Sequence, residues 1–168
     1  MAAKKTSKAK KVAKAPAKRA AAKRPPAKTA KAKSVKDEKS LRLTSVAPSL
    51  TVNDVHKSLA WYHDVLGFTP GERWENEGKL LGVEMNAGAA SFMIGQDDWK
   101  KGRDRVKGVG VRFYCNTDQD IDRLAARIKA NGGTLTEEPK DQPWGSRELS
   151  IDDPDGYKIT IAKERKKR

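Results

Sequence analysis

Residues 142–161 read QPWGSRELSIDDPDGYKITI, and this stretch decides how the chain is read. Its centre is the run Asp153-Pro154-Asp155-Gly156. Proline presets one turn dihedral, and glycine accepts the left-handed conformation that tight turns demand. On either side, apolar and polar residues alternate. Leu149 and Ile151 oppose Glu148 and Ser150, and Ile159 and Ile161 oppose Lys158 and Thr160. A period of two is that of a half-buried strand. The stretch therefore predicts two strands around a sharp turn, with one apolar and one polar face.

The same grammar recurs upstream. Residues 107–115, KGVGVRFYC, alternate, with Val109, Val111, Phe113 and Cys115 on one face and Arg112 and Tyr114 on the other. A helix over DQDIDRLAARIKANGG places Ile121, Leu124, Ala125 and Ile128 inward and closes at Gly132. Strands near 134–138, 146–151 and 157–162 complete this half. Earlier, residues 41–52 predict a strand with Val46, Pro48, Leu50 and Val52 on one face. Asn53 or Asp54 can cap the helix that follows, whose stripe is Val55, Leu59, Tyr62 and Leu66, with Gly67 as its C-terminal stop. Strands at about 68–76, 79–86 and 89–95 follow, separated by the turn signals ENEG and NAG. Leu66-Gly67 and Asn131-Gly132 mark the same point of each half, 65 residues apart.

A repeated βαβββ order predicts an α+β fold of two curved sheets, helices on the outer faces and a cleft between the inner ones. Alternation sends Ser49, Thr51, Arg112, Tyr114, Glu148, Ser150, Lys158 and Thr160 into that cleft. Trp144 sits between Pro143 and Gly145 in a short loop, where it either stacks on a ligand or plugs the sheet end. Trp74 and Trp99 are further groove aromatics, and Arg147 is either a partner of Glu148 or a ligand contact.

Charge divides the chain differently. Residues 1–40 hold 15 Lys/Arg against 2 Asp/Glu, residues 163–168 hold 5 against 1, and residues 41–162 hold 16 against 19. A weakly acidic domain at 41–162 thus lies between a basic tail at 1–40 and a basic C-terminal stretch at 163–168. The N-terminal segment is nearly all Lys, Ala, Pro, Arg, Ser and Thr, a composition too poor in apolar surface to offset chain entropy. It is expected to be disordered. Its charges, among them Lys4, Lys5, Lys8, Lys10, Lys11, Lys14, Lys18, Arg19, Lys23 and Arg24, suit phosphate contacts without sequence readout. A solubilising tail or an anionic membrane contact is the blander alternative. The single Cys115 excludes an internal disulfide and fits an intracellular, cytoplasmic setting. No run approaches the roughly 20 apolar residues of a membrane helix.

The stretches LTVNDVHKSLAWYHDVLGF and DQPWGSRELSIDDPDGYKITI, with the repeat between them, resemble the vicinal oxygen chelate superfamily. This group holds glyoxalases, bleomycin-resistance proteins and ring-cleaving dioxygenases. The resemblance covers about residues 43–162, and the tail resembles those of linker histones and bacterial histone-like proteins. The family's enzymes hold a divalent metal on His, Glu or Gln from four inner strands. Those ligand positions fall here on Ala47, Gly110, Thr160 and, with looser alignment, Met93. Such residues are not a ligand set for a divalent cation, so no metal or other cofactor is expected. His56 and His63 lie off the apolar stripe, toward solvent.

What the resemblance then implies is a metal-free, dimeric binder of a small molecule, planar or cationic, of the bleomycin-resistance type. The basic tail adds an association with nucleic acid, and so with a nucleoid or chromatin. Two readings stand beside it: a glyoxalase-type lyase or isomerase with other ligands, and an architectural nucleic-acid protein whose folded domain dimerises.

Overall fold

A computed structural model describes residue 41 and residues 43–164. The basic segment 1–40, with every lysine and arginine named above for it, and residues 165–168 lie outside the described residues. The repeat is present in the backbone. The first half holds β1 (Ser49–Val52), α1 (Val55–Trp61), a π-helical continuation (Tyr62–Leu66), β2 (Thr69–Asn76), β3 (Lys79–Ala87) and β4 (Ala90–Gln96). The second holds β5 (Arg112–Asn116), α2 (Ile121–Ala130), β6 (Leu135–Asp141), β7 (Ser146–Asp152) and β8 (Lys158–Glu164). Each half is a four-stranded mixed sheet, in the orders β1-β4-β3-β2 and β5-β8-β7-β6. The first strand of each runs parallel to the last, and the others pair antiparallel.

Local chemistry sets the helix limits. Asp54 accepts the amides of His56 and Lys57 at 3.0 and 3.1 Å, and Asp120 accepts that of Arg123 at 2.9 Å. Gly67 closes the first helix in the left-handed region, at φ 81°. The π-helical turn widens the inward stripe: Val65 is buried beside Tyr62 and Leu66, while Leu59 is only partly buried.

Two strands are shorter than their alternation predicts. β1 begins at Ser49, and Val46 is exposed. β5 begins at Arg112 and leaves Val109 and Val111 exposed. Gly108 and Gly110 explain the second case, since both take positive φ and break the extended run. At the other end β8 reaches Glu164, so Lys163 and Glu164 belong to the sheet.

The helix-bearing faces of both sheets contribute to one core. Val52, Val55, Tyr62, Val83, Met85 and Ile94 from the first half join Ile121, Ile128, Leu149 and Ile151 from the second. Phe92 and Phe113 stack across the halves at 6.3 Å between ring centroids. Because this shared face is the apolar one, the polar faces of the sheets lie away from it.

The Asp-Pro-Asp-Gly turn joins the halves. Asp153 Oδ1 accepts the amides of Asp155 and Tyr157 at 2.9 and 2.8 Å, the local bonding such a turn favours. Its other oxygen accepts the buried Tyr62 hydroxyl at 2.8 Å. Asp155 accepts the Asn53 amide at 2.8 Å and the Ser58 hydroxyl at 3.2 Å. The linker between the halves is tied to the same place. Lys107, buried, pairs with Asp97 at 2.9 Å and also donates to the Asn53 side chain, while Arg105 reaches Asp97 at 2.6 Å.

Two measurements follow from this junction. Gly108 takes φ +71°, and a Cβ there would stand 2.2 Å from the Gly156 carbonyl oxygen. Gly108→Ala is expected to cost on the order of 2–4 kcal/mol in urea denaturation, since neither backbone can yield cheaply. Asp97 is held well below the usual carboxylate range, first by Lys107, then by the Trp99 amide and Arg105, against the opposing effect of burial. A depressed pKa gives stability above the unfolded value, about 3.9, that is lost as pH falls through the folded one. Asp97→Asn should therefore start less stable at neutral pH and lose less on acidification than the wild type, as urea midpoints across a pH series would show.

Candidate functional site

The polar face of the second sheet carries a cavity of about 720 Å³. Arg112 and Tyr114 from β5, Glu148 from β7, Thr160 from β8 and Trp144 from the β6–β7 hairpin all line it. Glu137, Glu138, Pro139 and Lys140 of β6, with Gln142, form the remaining wall. Register explains the gathering: Tyr114 lies opposite Thr160, and Thr160 opposite Ser150. The hairpin is closed by Gln142 and Ser146 main-chain bonding at 2.8 Å, and Gly145 takes φ 99° to turn it. That turn leaves Trp144 66% exposed at the cavity rim.

Glu148 is the centre of this face and is only 6% exposed. Its Oε1 accepts hydrogen bonds from Ser146 Oγ at 2.5 Å, Trp144 Nε1 at 2.7 Å and the Tyr114 hydroxyl. Burial pushes the carboxyl up, but the bonds from Ser146, Tyr114 and Trp144 outweigh it and hold the group below its ordinary value. Burial and the bond to Glu148 push the Tyr114 phenol up. Glu148 is thus an anion at neutral pH and Tyr114 a neutral donor.

A second chain of bonds runs beside the first. Arg112 donates to Thr160 Oγ1 at 2.7 Å, Thr160 and Ser150 hydroxyls lie 3.1 Å apart, and Ser150 donates to Glu137 at 3.0 Å. Because the Ser150 proton is committed to Glu137, Thr160 is the donor to Ser150. The bonds therefore run one way, from guanidinium to carboxylate.

Other residues expected in the cleft lie elsewhere. Ser49 and Thr51 sit on β1 of the first sheet and are not among the lining residues. Lys158 is exposed and pairs in register with Arg112 and Asp152, outside the lining. Arg147 points the other way: it grips Asp122 of α2 at 2.8 and 2.6 Å and Asp141 of β6 at 3.0 Å. Strand alternation demands this, since its neighbour Glu148 faces the cavity. Trp99 lies in the linker under Lys107, with 5.1 Å from ammonium to ring centroid, and Trp74 stands over Gly82 of the first sheet. Glu137, Lys140 and Ser146 escaped the sequence reading. β6 is TEEPKD-rich and bulged, without clean alternation, and Ser146 is visible only once the hairpin is closed.

The positions where metalloenzymes of the resembled group place ligands do not suit a divalent cation here. Gly110 and Ala47 offer no side-chain donor, Met93 offers a soft thioether, and the Thr160 hydroxyl accepts a guanidinium that would repel a cation. Among the described residues, no group of three or more His, Cys, Asp or Glu stands close enough to hold a metal. His56 and His63 are exposed, and His63 contacts Asp64 at 2.7 Å. Cys115 is a half-buried free thiol whose pKa is pushed up by burial.

Residues 42–161 match the sequence model of the Glyoxalase/Bleomycin resistance protein/Dioxygenase superfamily. The chain belongs to this superfamily. Its matches include the lactoylglutathione lyase of Haemophilus influenzae, 32% identical over 117 residues, covering 66% of this chain and 84% of that protein. A lactoylglutathione lyase of Arabidopsis thaliana is 24% identical over 127 residues, and the chain spans 40% of its length. Solved structures share the superfamily fold. TioX of Micromonospora sp. ML1 has a TM-score of 0.59 at 19% identity, covering 71% of this chain and 99% of that one. TnmS3, an antibiotic-binding protein of Streptomyces sp. CB03234, has 0.55 at 22%, covering 73% and 99%.

The donors around Glu148 can be ranked by titration. Ser146→Ala should raise the Glu148 pKa more than Trp144→Phe does, because the Ser146 bond is the shorter of the two, 2.5 against 2.7 Å. Carbon-13 NMR of the labelled carboxyl would read both shifts. A larger shift on losing Trp144 would contradict the network.

Proposed function

We propose that this protein binds a small organic molecule without a metal, in the manner of the bleomycin-resistance-like members of its superfamily. The observation that carries this reading is the guanidinium of Arg112 on Thr160, inside a ligand-sized cavity, at a position where metalloenzyme relatives place a ligand. The resemblance in fold to TnmS3, itself an antibiotic-binding protein, supports it. Trp144 offers a planar face at the rim for stacking. In this reading the protein is a homodimer, in which a second copy brings the unused polar face of a first sheet, with Ser49 and Thr51, toward the cavity. The basic tail tethers the binder to nucleic acid, and through it to a nucleoid or chromatin, by counterion release. It thereby raises the local concentration of binding sites near the polymer rather than their affinity.

The similarity to the Haemophilus influenzae enzyme favours a glyoxalase-type lyase as the second reading. One set of measurements separates the two. Chelator-treated protein is expected to show saturable quenching of tryptophan fluorescence with planar organic compounds, lost in Trp144→Ala, and no lactoylglutathione lyase activity when zinc or nickel is supplied. Turnover with added metal would overturn the metal-free reading. For the tether, deletion of residues 1–40 should weaken DNA binding and flatten its salt dependence, whose log–log slope is about −0.9 per phosphate contact. Equal affinity with and without the tail would remove nucleic acid from the function.

A further inference from the structure

A second cavity, of about 850 Å³, lies on the helix-bearing side of the second sheet, between the halves. Leu66 and Phe68, from the end of the first helix, line it together with Leu124 of α2, Cys115 of β5, and Ile159 and Ile161 of β8. The turn between β3 and β4, at residues 87–90, adds a wall of small side chains. Strand alternation sets Cys115, Ile159 and Ile161 opposite Tyr114 and Thr160, and the two cavities share no lining residue. The floor is apolar and suits the body of an organic molecule.

Three charged side chains line this cavity: Arg127, Asp118 and Glu164. None of them makes an ion pair or a side-chain hydrogen bond among the described residues. Their charged neighbours are engaged elsewhere or stand outside the lining. Asp120 caps α2, Asp122 holds Arg147 and Lys129 holds Glu138, while Arg123 and Lys163 are not lining residues.

Topology keeps the two signs apart. β5 and β8 run parallel, so Asp118, just past β5, and Glu164, at the end of β8, stand at the same end of the sheet. α2 starts at that end and runs back over the sheet, rising about 9 Å from Ile121 to Arg127. Arg127 therefore stands toward the other end, with its guanidinium 4.0 Å from the place a Gly67 Cβ would take. This order of signs suits the dipole of α2, yet it leaves each group without a counter-ion.

We propose that this second cavity binds an elongated apolar molecule charged at both ends. Its ammonium lies against Asp118 and Glu164, its carboxylate against Arg127, and the two are about 10 Å apart, as the helix rise requires. The apolar body between them covers Leu124 and Ile161. This site stands apart from the one in the small-molecule reading above, and neither depends on the other.

Cys115 reports on this cavity alone, since it is the single cysteine of the chain and one of the lining residues. Its alkylation by N-ethylmaleimide, followed by mass spectrometry on the full chain, is expected to slow saturably with ω-aminooctanoate. The isosteres ω-hydroxyoctanoate and aminooctanol each lack one charge. Each should need about three times the concentration for equal protection, the scale of an exposed ion pair. Arg127→Gln should erase the advantage of ω-aminooctanoate over aminooctanol. The double variant Asp118→Asn with Glu164→Gln should erase its advantage over ω-hydroxyoctanoate. All three side chains are exposed, so alkylation without ligand should match the wild type in both variants. Trp144→Ala should leave protection unchanged. Absence of protection, or a charge preference that survives its variant, overturns the site. Protection lost in Trp144→Ala also overturns it, because the probe then binds in the other cavity.

Discussion

Two carboxylates in one turn hold the halves of this protein together. Asp153 takes the Tyr62 hydroxyl, and Asp155 takes the Asn53 amide and the Ser58 hydroxyl, so the turn of the second half caps the opening of the first helix. Each half alone is a small sheet with one helix, too little to bury a core well. Joined, they share a single apolar interior. Burial pushes the Asp153 carboxyl up, although the bonds from Tyr62, Tyr157 and Asp155 oppose it. The group is bonded because it is buried there, and it is buried there because the turn must reach the helix.

This coupling also shapes the polar faces. Because both helix-bearing faces are spent on the common core, the faces with hydroxyls and charges are left outside it. The cavity is therefore assembled from one sheet and its hairpin, and not from two facing sheets. That is why Ser49 and Thr51, on β1 of the first sheet, are not among the residues that line it with Arg112 and Glu148.

Strand and helix order were legible in the sequence, since periods of 2 and 3.6 residues and the glycine stops are local signals. The observed β2, β3, β4 and α2 lie close to their predicted spans. Arg112, Tyr114, Glu148 and Thr160 share one face of the second sheet for the same reason. What local pattern could not carry was pairing. Arg147 stands one residue from Glu148, and only the packing of α2 on β7 shows that its partner is Asp122. The linker residues Asp97, Lys107 and Trp99 had no period to betray them, yet they form a buried ion pair whose lysine lies over an aromatic ring. The exposed valines at 109 and 111 show the opposite error, where alternation continued past the glycines that end the strand.

The charges on the cavity wall are not equivalent. Arg112 and Glu137 close on each other through Thr160 and Ser150, so that chain is neutral as a unit and its ends are already answered. Glu148 is bonded by neutral donors and makes no direct ion pair among the described residues, although Lys140 lies opposite it in register and lines the same cavity. In a metalloenzyme of this superfamily the positive charge at the centre comes from an ion. Here the cations of the wall are side chains: Arg112 reaches Glu137 through two hydroxyls, Lys129 pairs with Glu138 at 2.6 Å, and Lys140 lies opposite Glu148 in register.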